Sequence, residues 1–149
     1  MIQTFSQPAA EAKLSGGIAA PLLKGTVRFY QKPGGVLVVA EVSGLPRKDG
    51  FYGFHIHEGS CTGIDFGDTL GHYDPAGQSH PLHAGDLPPL LGCNGRAYMA
   101  VLTDRFSLQE VQNRTVVIHG EADDFRSQPA GNAGMKIACG VIMPYRRRR

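Results

Sequence analysis

The sequence predicts an all-β chain, an eight-stranded Greek-key barrel or sandwich carrying two long functional loops. Three observations carry that reading. Twenty glycines and ten prolines in 149 residues favour many short elements joined by tight turns. The apolar runs are short and alternate with a period of two, the mark of a strand with one face buried. Two aperiodic, turn-rich stretches interrupt them, 59–89 and 123–135. A connection of that length within a compact domain is functional unless the elements have been misassigned.

Taken in order, residues 1–8 read as a loose leader, and 9–14 as a first short strand ended by Gly16-Gly17. In GTVRFYQ, Val27 and Phe29 share one face while Arg28 and Tyr30 share the other, as in a half-buried strand. Lys32-Pro33-Gly34-Gly35 turns this strand into VLVVAEVSGL and makes a hairpin. After the exposed turn PRKDG, FYGFHIHE (51–58) is the fourth strand. LPPLL (87–91), broken by prolines, fits only at a sheet edge. Cys93-Asn94-Gly95 is a hairpin turn before RAYMAVLTDRF. Residues 107–112 suit one helical turn, TVVIHGEA is the seventh strand and KIACGVIMP the eighth. No repeat and no second domain is visible, so 1–149 is expected to be a single domain, long enough to bury its own core.

The formal charge of +2 is a property of the tail, because without Arg146 to Arg149 there remain 11 basic against 13 acidic residues, or −2. That balance gives no reason to expect a nucleic-acid partner, and the four arginines read as a solvated terminus. No run approaches the roughly 18 apolar residues of a membrane span, so no membrane partner is expected either. The first twenty residues lack the charged start and apolar centre of a secretion signal. The chain as written is therefore expected in the cytoplasm, with the periplasm or the exterior as the alternative if a signal has been removed.

Five of the six histidines lie between His55 and Asp86. His55 and His57, two apart on a strand, project to one side while Ile56 points to the other. His72, His80, His83 and Asp86 follow at intervals of eight, three and three in a Gly/Pro-rich run. Three imidazoles and a carboxylate suffice to close a tetrahedral zinc shell. His55, His57 and His119 remain, all on apolar strand-like runs, and an all-imidazole site suits copper. Three cysteines, Cys61, Cys93 and Cys139, permit one disulfide with a thiol left over, or else three buried thiols in a reducing compartment.

The segments GFHIHEGSC, GHYDP, HAGDLPPL, VVIHGEADD and GNAGMKIACGVI occur in this order. Together they make the chain, from Gly25 to Ile142, resemble the copper,zinc superoxide dismutases, with the run between His57 and Cys61 closest to bacterial members. The resemblance implies copper held by His55, His57, His72 and His119, zinc held by His72, His80, His83 and Asp86, and His72 shared between them. It implies disproportionation of superoxide to oxygen and hydrogen peroxide, with copper and zinc ions as cofactors and superoxide as the small-molecule substrate. It also implies a Cys61–Cys139 disulfide, leaving Cys93 unpaired, and a role for Asp123 in bonding a copper histidine and a zinc histidine at once. Asp124 reads as an ordinary loop carboxylate. Lys136 stands where the family usually places an arginine at the channel mouth. It keeps the positive charge and loses the planar fork, which implies a working but slower or less selective site. Arg126 is a lesser steering candidate.

A homodimer is compatible with the family, although the sequence does not locate an interface. The alternative function is a non-catalytic copper- and zinc-binding β domain for metal buffering or delivery. A hydrolytic zinc site is disfavoured, because four protein ligands leave no position for an activated water.

Overall fold

The computed structural model describes residues 7–147. Residues 1–6 of the expected leader and Arg148–Arg149 of the expected tail lie outside the described residues. Among the described residues there are nine strands, one short α-helix and one 3-10 turn (Gly67–Thr69): β1 (Ala10–Gly16), β2 (Lys24–Lys32), β3 (Gly35–Ser43), β4 (Gly50–Tyr52), β5 (Phe54–His57), β6 (Leu90–Gly92), β7 (Ala97–Thr103), α1 (Leu108–Val111), β8 (Thr115–His119) and β9 (Lys136–Pro144). A curled antiparallel sheet runs β5-β8-β9-β1-β2-β3-β7, and β4 and β6 form a separate pair. Its neighbours β5–β8, β1–β9 and β3–β7 are distant in sequence, as Greek-key connections require.

The alternation read from the sequence sets the core. Val27 and Phe29 of β2 are buried against Val36, Val38 and Ala40 of β3, while Arg28 faces outward and pairs with Glu11 at 3.0 Å. Burying each of these valines and the phenylalanine is worth about 1.5–3 kcal/mol. The prolines keep Pro88 and Pro89 out of the ladder, so the expected edge strand starts only at Leu90. The helical turn is closed at its start by Ser107, whose side chain accepts from the Glu110 amide.

One expected strand is divided. FYGFHIHE breaks at Gly53 into β4, which pairs with β6, and β5, which pairs with β8. The Gly53 amide donates to Glu121 O at 2.8 Å, and its carbonyl accepts from the His119 amide at 2.8 Å. A Cβ there would lie 2.6 Å from the Ala133 Cβ, so only glycine allows the chain to change partners at this point. The switch makes nine strands where eight were expected, and it places β5 where both of its faces are covered. All four β5 residues are buried.

Candidate metal centre

The alternation of β5 sends Phe54 and Ile56 into the barrel core and His55 and His57 to the opposite side, beneath the loops. The loop leaving β5 does not wander. Glu58, Gly59 and Ser60 amides donate to Gly71 O, Thr69 O and Asp68 O, each at 2.9 Å, so residues 58–71 fold back as an irregular hairpin. This brings His72 opposite His57. Farther on, the chain returns beside β5: the Ile56 amide donates to Gly85 O at 2.8 Å, and the Tyr73 amide donates to Ile56 O at 2.8 Å. A Cβ on Gly85 would meet Ile56 O at 2.3 Å, so this close passage needs glycine, and it sets Asp86 opposite His55. His119 ends β8 at a register shift between Ile118 and His119.

All six histidines therefore converge. His72 occupies the middle, its ring centroid 4.0 Å from His55, 4.8 Å from His57, 5.4 Å from His80 and 5.2 Å from His83. Two groups have potential ligand atoms within 4.8 Å of one another: His55, His57, His72, His119, and His55, His72, His80, Asp86. His55 thus reaches both groups. His83, expected in the second, lies at its rim, with Nδ1 3.2 Å from His72 Nδ1 and 3.1 Å from Asp86 Oδ2.

Which nitrogen each ring commits to the protein is the informative detail. His55 Nε2 lies 2.7 Å from Asp123 Oδ2, and His80 Nε2 lies 2.8 Å from Asp123 Oδ1. A carboxylate only accepts, so both Nε2 atoms carry the proton and both Nδ1 atoms present a lone pair. His57 Nδ1 donates to Leu70 O at 2.8 Å and His119 Nδ1 to Gly134 O at 3.1 Å, which leaves their Nε2 atoms facing each other at 3.2 Å. His72 Nδ1 meets Asp86 Oδ1 at 2.8 Å. Its Nε2 is buried without a partner, as are His55 Nδ1 and His80 Nδ1. His80 Nδ1 comes within 3.1 Å of Asp86 Oδ2 but outside hydrogen-bond alignment. An orphaned buried polar atom costs about 1–3 kcal/mol, and three in one cluster are a donor set built for a cation. The residues therefore fit both metals: an imidazole group of the kind copper favours and an imidazole–carboxylate group of the kind zinc favours.

Electrostatics support neutral rings. Burial pushes the His57 and His119 pKa values down to about 2 and about 3, and lowers that of His55 as well. Neutral imidazole is the ligating form. Asp123 is the converse case. Burial alone would raise its pKa, but hydrogen bonds from His55, His80 and the Phe125 amide hold it well below the usual carboxylate range. Burial likewise acts against ionised Asp86, and the bond from His72 with the neighbouring histidines outweighs it, leaving its pKa lowered.

A cleft of about 500 Å³ opens onto His57, His72 and His119, with Pro129, Ala130, Gly134 and Lys136 on its walls. Lys136, the first residue of β9, directs its ammonium to Leu70 O at 3.0 Å and Phe66 O at 3.5 Å. Burial lowers its pKa, partly opposed by Asp68 and Asp65. Asp124 accepts from the Arg126 and Ser127 amides and from the Ser127 hydroxyl, and so serves the turn. Cys61 and Cys139 form a disulfide, while Cys93 is free and exposed at its turn.

Sequence reasoning missed the carbonyls of Leu70 and Gly134, because any residue type supplies a carbonyl. It also missed Gln128, which holds the His80 backbone through both ends of its amide.

Residues 23–142 match the family described as copper/zinc superoxide dismutase (SODC). The chain is 39% identical over 130 residues to the protein named Superoxide dismutase [Cu-Zn] of Legionella pneumophila, covering 82% of this chain and 79% of that one. It is 37% identical over 134 residues to Superoxide dismutase [Cu-Zn] 1 of Aquifex aeolicus, covering 79% of each chain. To the Superoxide dismutase [Cu-Zn] of Deinococcus radiodurans it is 39% identical over 141 residues, covering 79% of this chain and 76% of that one.

Proposed function

Because this chain belongs to the copper/zinc superoxide dismutase family, we propose a division of its metal centre residue by residue. The activity itself is the family's: an oxidoreductase that disproportionates superoxide to oxygen and hydrogen peroxide with copper and zinc as cofactors. His55 through Nδ1, and His57, His72 and His119 through Nε2, hold copper. His72, His80 and His83 through Nδ1, with Asp86, hold zinc. The copper half of this division is carried by the lone pairs left over once each ring has made its protein hydrogen bond, and the zinc half by the convergence of His72, His80 and His83 Nδ1 on the Asp86 carboxylate at 2.8, 3.1 and 3.1 Å.

When bound, copper supplies the one-electron redox change that the reaction needs, and zinc supplies a fixed positive charge beside it. The chain's own groups do the rest. Asp123 holds the His55 and His80 rings in the tautomer that leaves both Nδ1 atoms free. His72 lines the cleft, and its Nε2, buried without a protein partner, is the atom that would take up a proton when it is not holding copper and pass it to an anion that has entered. Lys136, on the wall of the same cleft, attracts that anion. Both His72 and Lys136 are therefore catalytic.

Replacing His119 with Ala tests the division. The variant is expected to lose superoxide consumption while keeping its zinc; full activity with copper present would contradict the assignment.

For assembly we infer a homodimer through the exposed, paired side chains Phe51 and Leu91 on the β4–β6 pair. A sedimentation mass equal to the 16.0 kDa chain would exclude it. Neither a nucleic acid nor a membrane is required for this activity. For compartment, the Cys61–Cys139 disulfide supports an oxidising location, the periplasm or exterior, over the cytoplasm. Fractionation of the source cells distinguishes the two.

A further inference from the structure

The turn from Ser79 to Asp86 carries His80, His83 and Asp86 and closes on itself at two points. The Leu82 amide donates to Ser79 O at 2.7 Å, and the Asp86 amide donates to His83 O at 3.1 Å. The backbone of His80 takes no part in this. Its amide donates instead to Gln128 Oε1 at 2.8 Å, and its carbonyl accepts from Gln128 Nε2 at 2.8 Å. A side-chain amide here replaces the missing strand neighbour, satisfying both backbone groups of one residue from 48 positions away. The amide cannot be turned over, because its oxygen faces an N–H and its nitrogen also donates to Arg126 O at 3.1 Å.

Gln128 sits on the same irregular segment as Asp123, which bonds the His80 ring. That segment therefore grips His80 twice, at the ring through Asp123 and at the backbone through Gln128. The neighbouring Pro129, Ala130 and Gly134 form one wall of the cleft. The pieces fit without slack: a Cβ on Gly131 would meet Asp123 Oδ1 at 2.0 Å and His80 Nε2 at 2.7 Å.

We propose that Gln128 is a positioning residue for zinc: by clamping the His80 backbone it aims His80 Nδ1 at the second metal group, and it thereby ties zinc occupancy to the cleft wall. This rests on His80 being a zinc ligand. A ring bonded only through Nε2 can still swing about Cα–Cβ and Cβ–Cγ, whereas one whose backbone is also fixed presents Nδ1 in a single direction.

The test compares Gln128→Ala, Gln128→Glu and His80→Ala with the parent by chelator competition for zinc, by the visible spectrum of cobalt(II) placed at the zinc position, and by melting of the metal-free protein. Gln128→Ala is expected to weaken zinc binding by roughly 10- to 100-fold and to alter the cobalt band intensities. Metal-free melting should change little, which separates aiming from mere support of the fold. Should Gln128→Ala fail to fold, Gln128→Glu is read in its place, since it keeps the size and the acceptor for the His80 amide but loses the donor to the carbonyl. Zinc binding within about 3-fold of the parent in the folded variant, alongside loss of zinc in His80→Ala, would overturn the proposal. Unchanged zinc binding in His80→Ala would instead overturn the ligand assignment beneath it.

Discussion

An imidazole that gives its one N–H to a fixed acceptor turns its other nitrogen into a lone pair of known direction. In this protein four rings are set that way, by Asp123, Leu70 O and Gly134 O. Leu70 O has a second donor, the ammonium of Lys136, so the cation at the cleft and the orientation of His57 share one acceptor. Lys136 nonetheless acts at a distance as a point charge, and point charges are screened. Superoxide consumption should therefore slow as ionic strength rises, and Lys136→Gln should flatten that dependence and lower the low-salt rate by about 10-fold. An unchanged salt slope in the variant would remove Lys136 from the steering role. At this scale the sequence was informative for side chains that are chemically distinctive. Six histidines and Asp86 could be singled out by type and spacing, and Asp123 and Lys136 through the family resemblance. The choice of ring nitrogen could not, since it depends on carbonyls whose positions only the folded backbone defines. Gln128 escaped for a related reason: a polar loop residue carries no sign of the one backbone it will hold.

Elements give these side chains their places. β5 delivers two rings by alternation, β8 delivers His119 where its register shifts, and the hairpin-like run 58–71 swings His72 back over β5. That run is stapled at Cys61 to Cys139, which sits in β9 between Ser15 of β1 and Val117 of β8. The cross-link spans 78 residues, so its removal should lower stability by about 4 kcal/mol. Denaturant midpoints of the metal-free protein with and without reductant measure this, and coincident midpoints would show that the staple carries no stability. The strands themselves were legible because alternation in β2 and β3 is a local pattern. The break at Gly53 was not, for the collision that forbids a side chain there comes from Ala133, eighty residues on. Nor was the order in 58–71, where turn-forming residues mask a ladder of backbone bonds that leaves no period in the sequence.

For the molecule as a whole, the Greek-key path is what makes one centre out of scattered histidines. Strand β5 lies beside β8 and β9, far from it in sequence, and the two irregular segments meet over the centre where Asp123 and Gln128 of one hold His80 of the other. Burial holds His55, His57 and His119 neutral, so this part of the centre resists protonation. In the metal-free chain His57 and His119 have folded pKa values depressed from 6.5 to about 2 and about 3. The unfolded chain then binds more protons than the folded one, and stability present above about pH 6.5 is lost as pH falls. At about pH 5 each ring accounts for roughly 2 kcal/mol of that loss, which a melting series of the metal-free protein would reveal as a falling midpoint; a flat series from pH 7 to about 5 would show that the two rings are not held neutral. The same cluster is the heart of the functional account, and the most direct test is superoxide consumption by protein of measured copper and zinc content. The rate is predicted to rise in proportion to copper in zinc-loaded protein and to vanish when copper is withheld. A chain carrying both metals in the centre that left superoxide to decay at its spontaneous rate would contradict it.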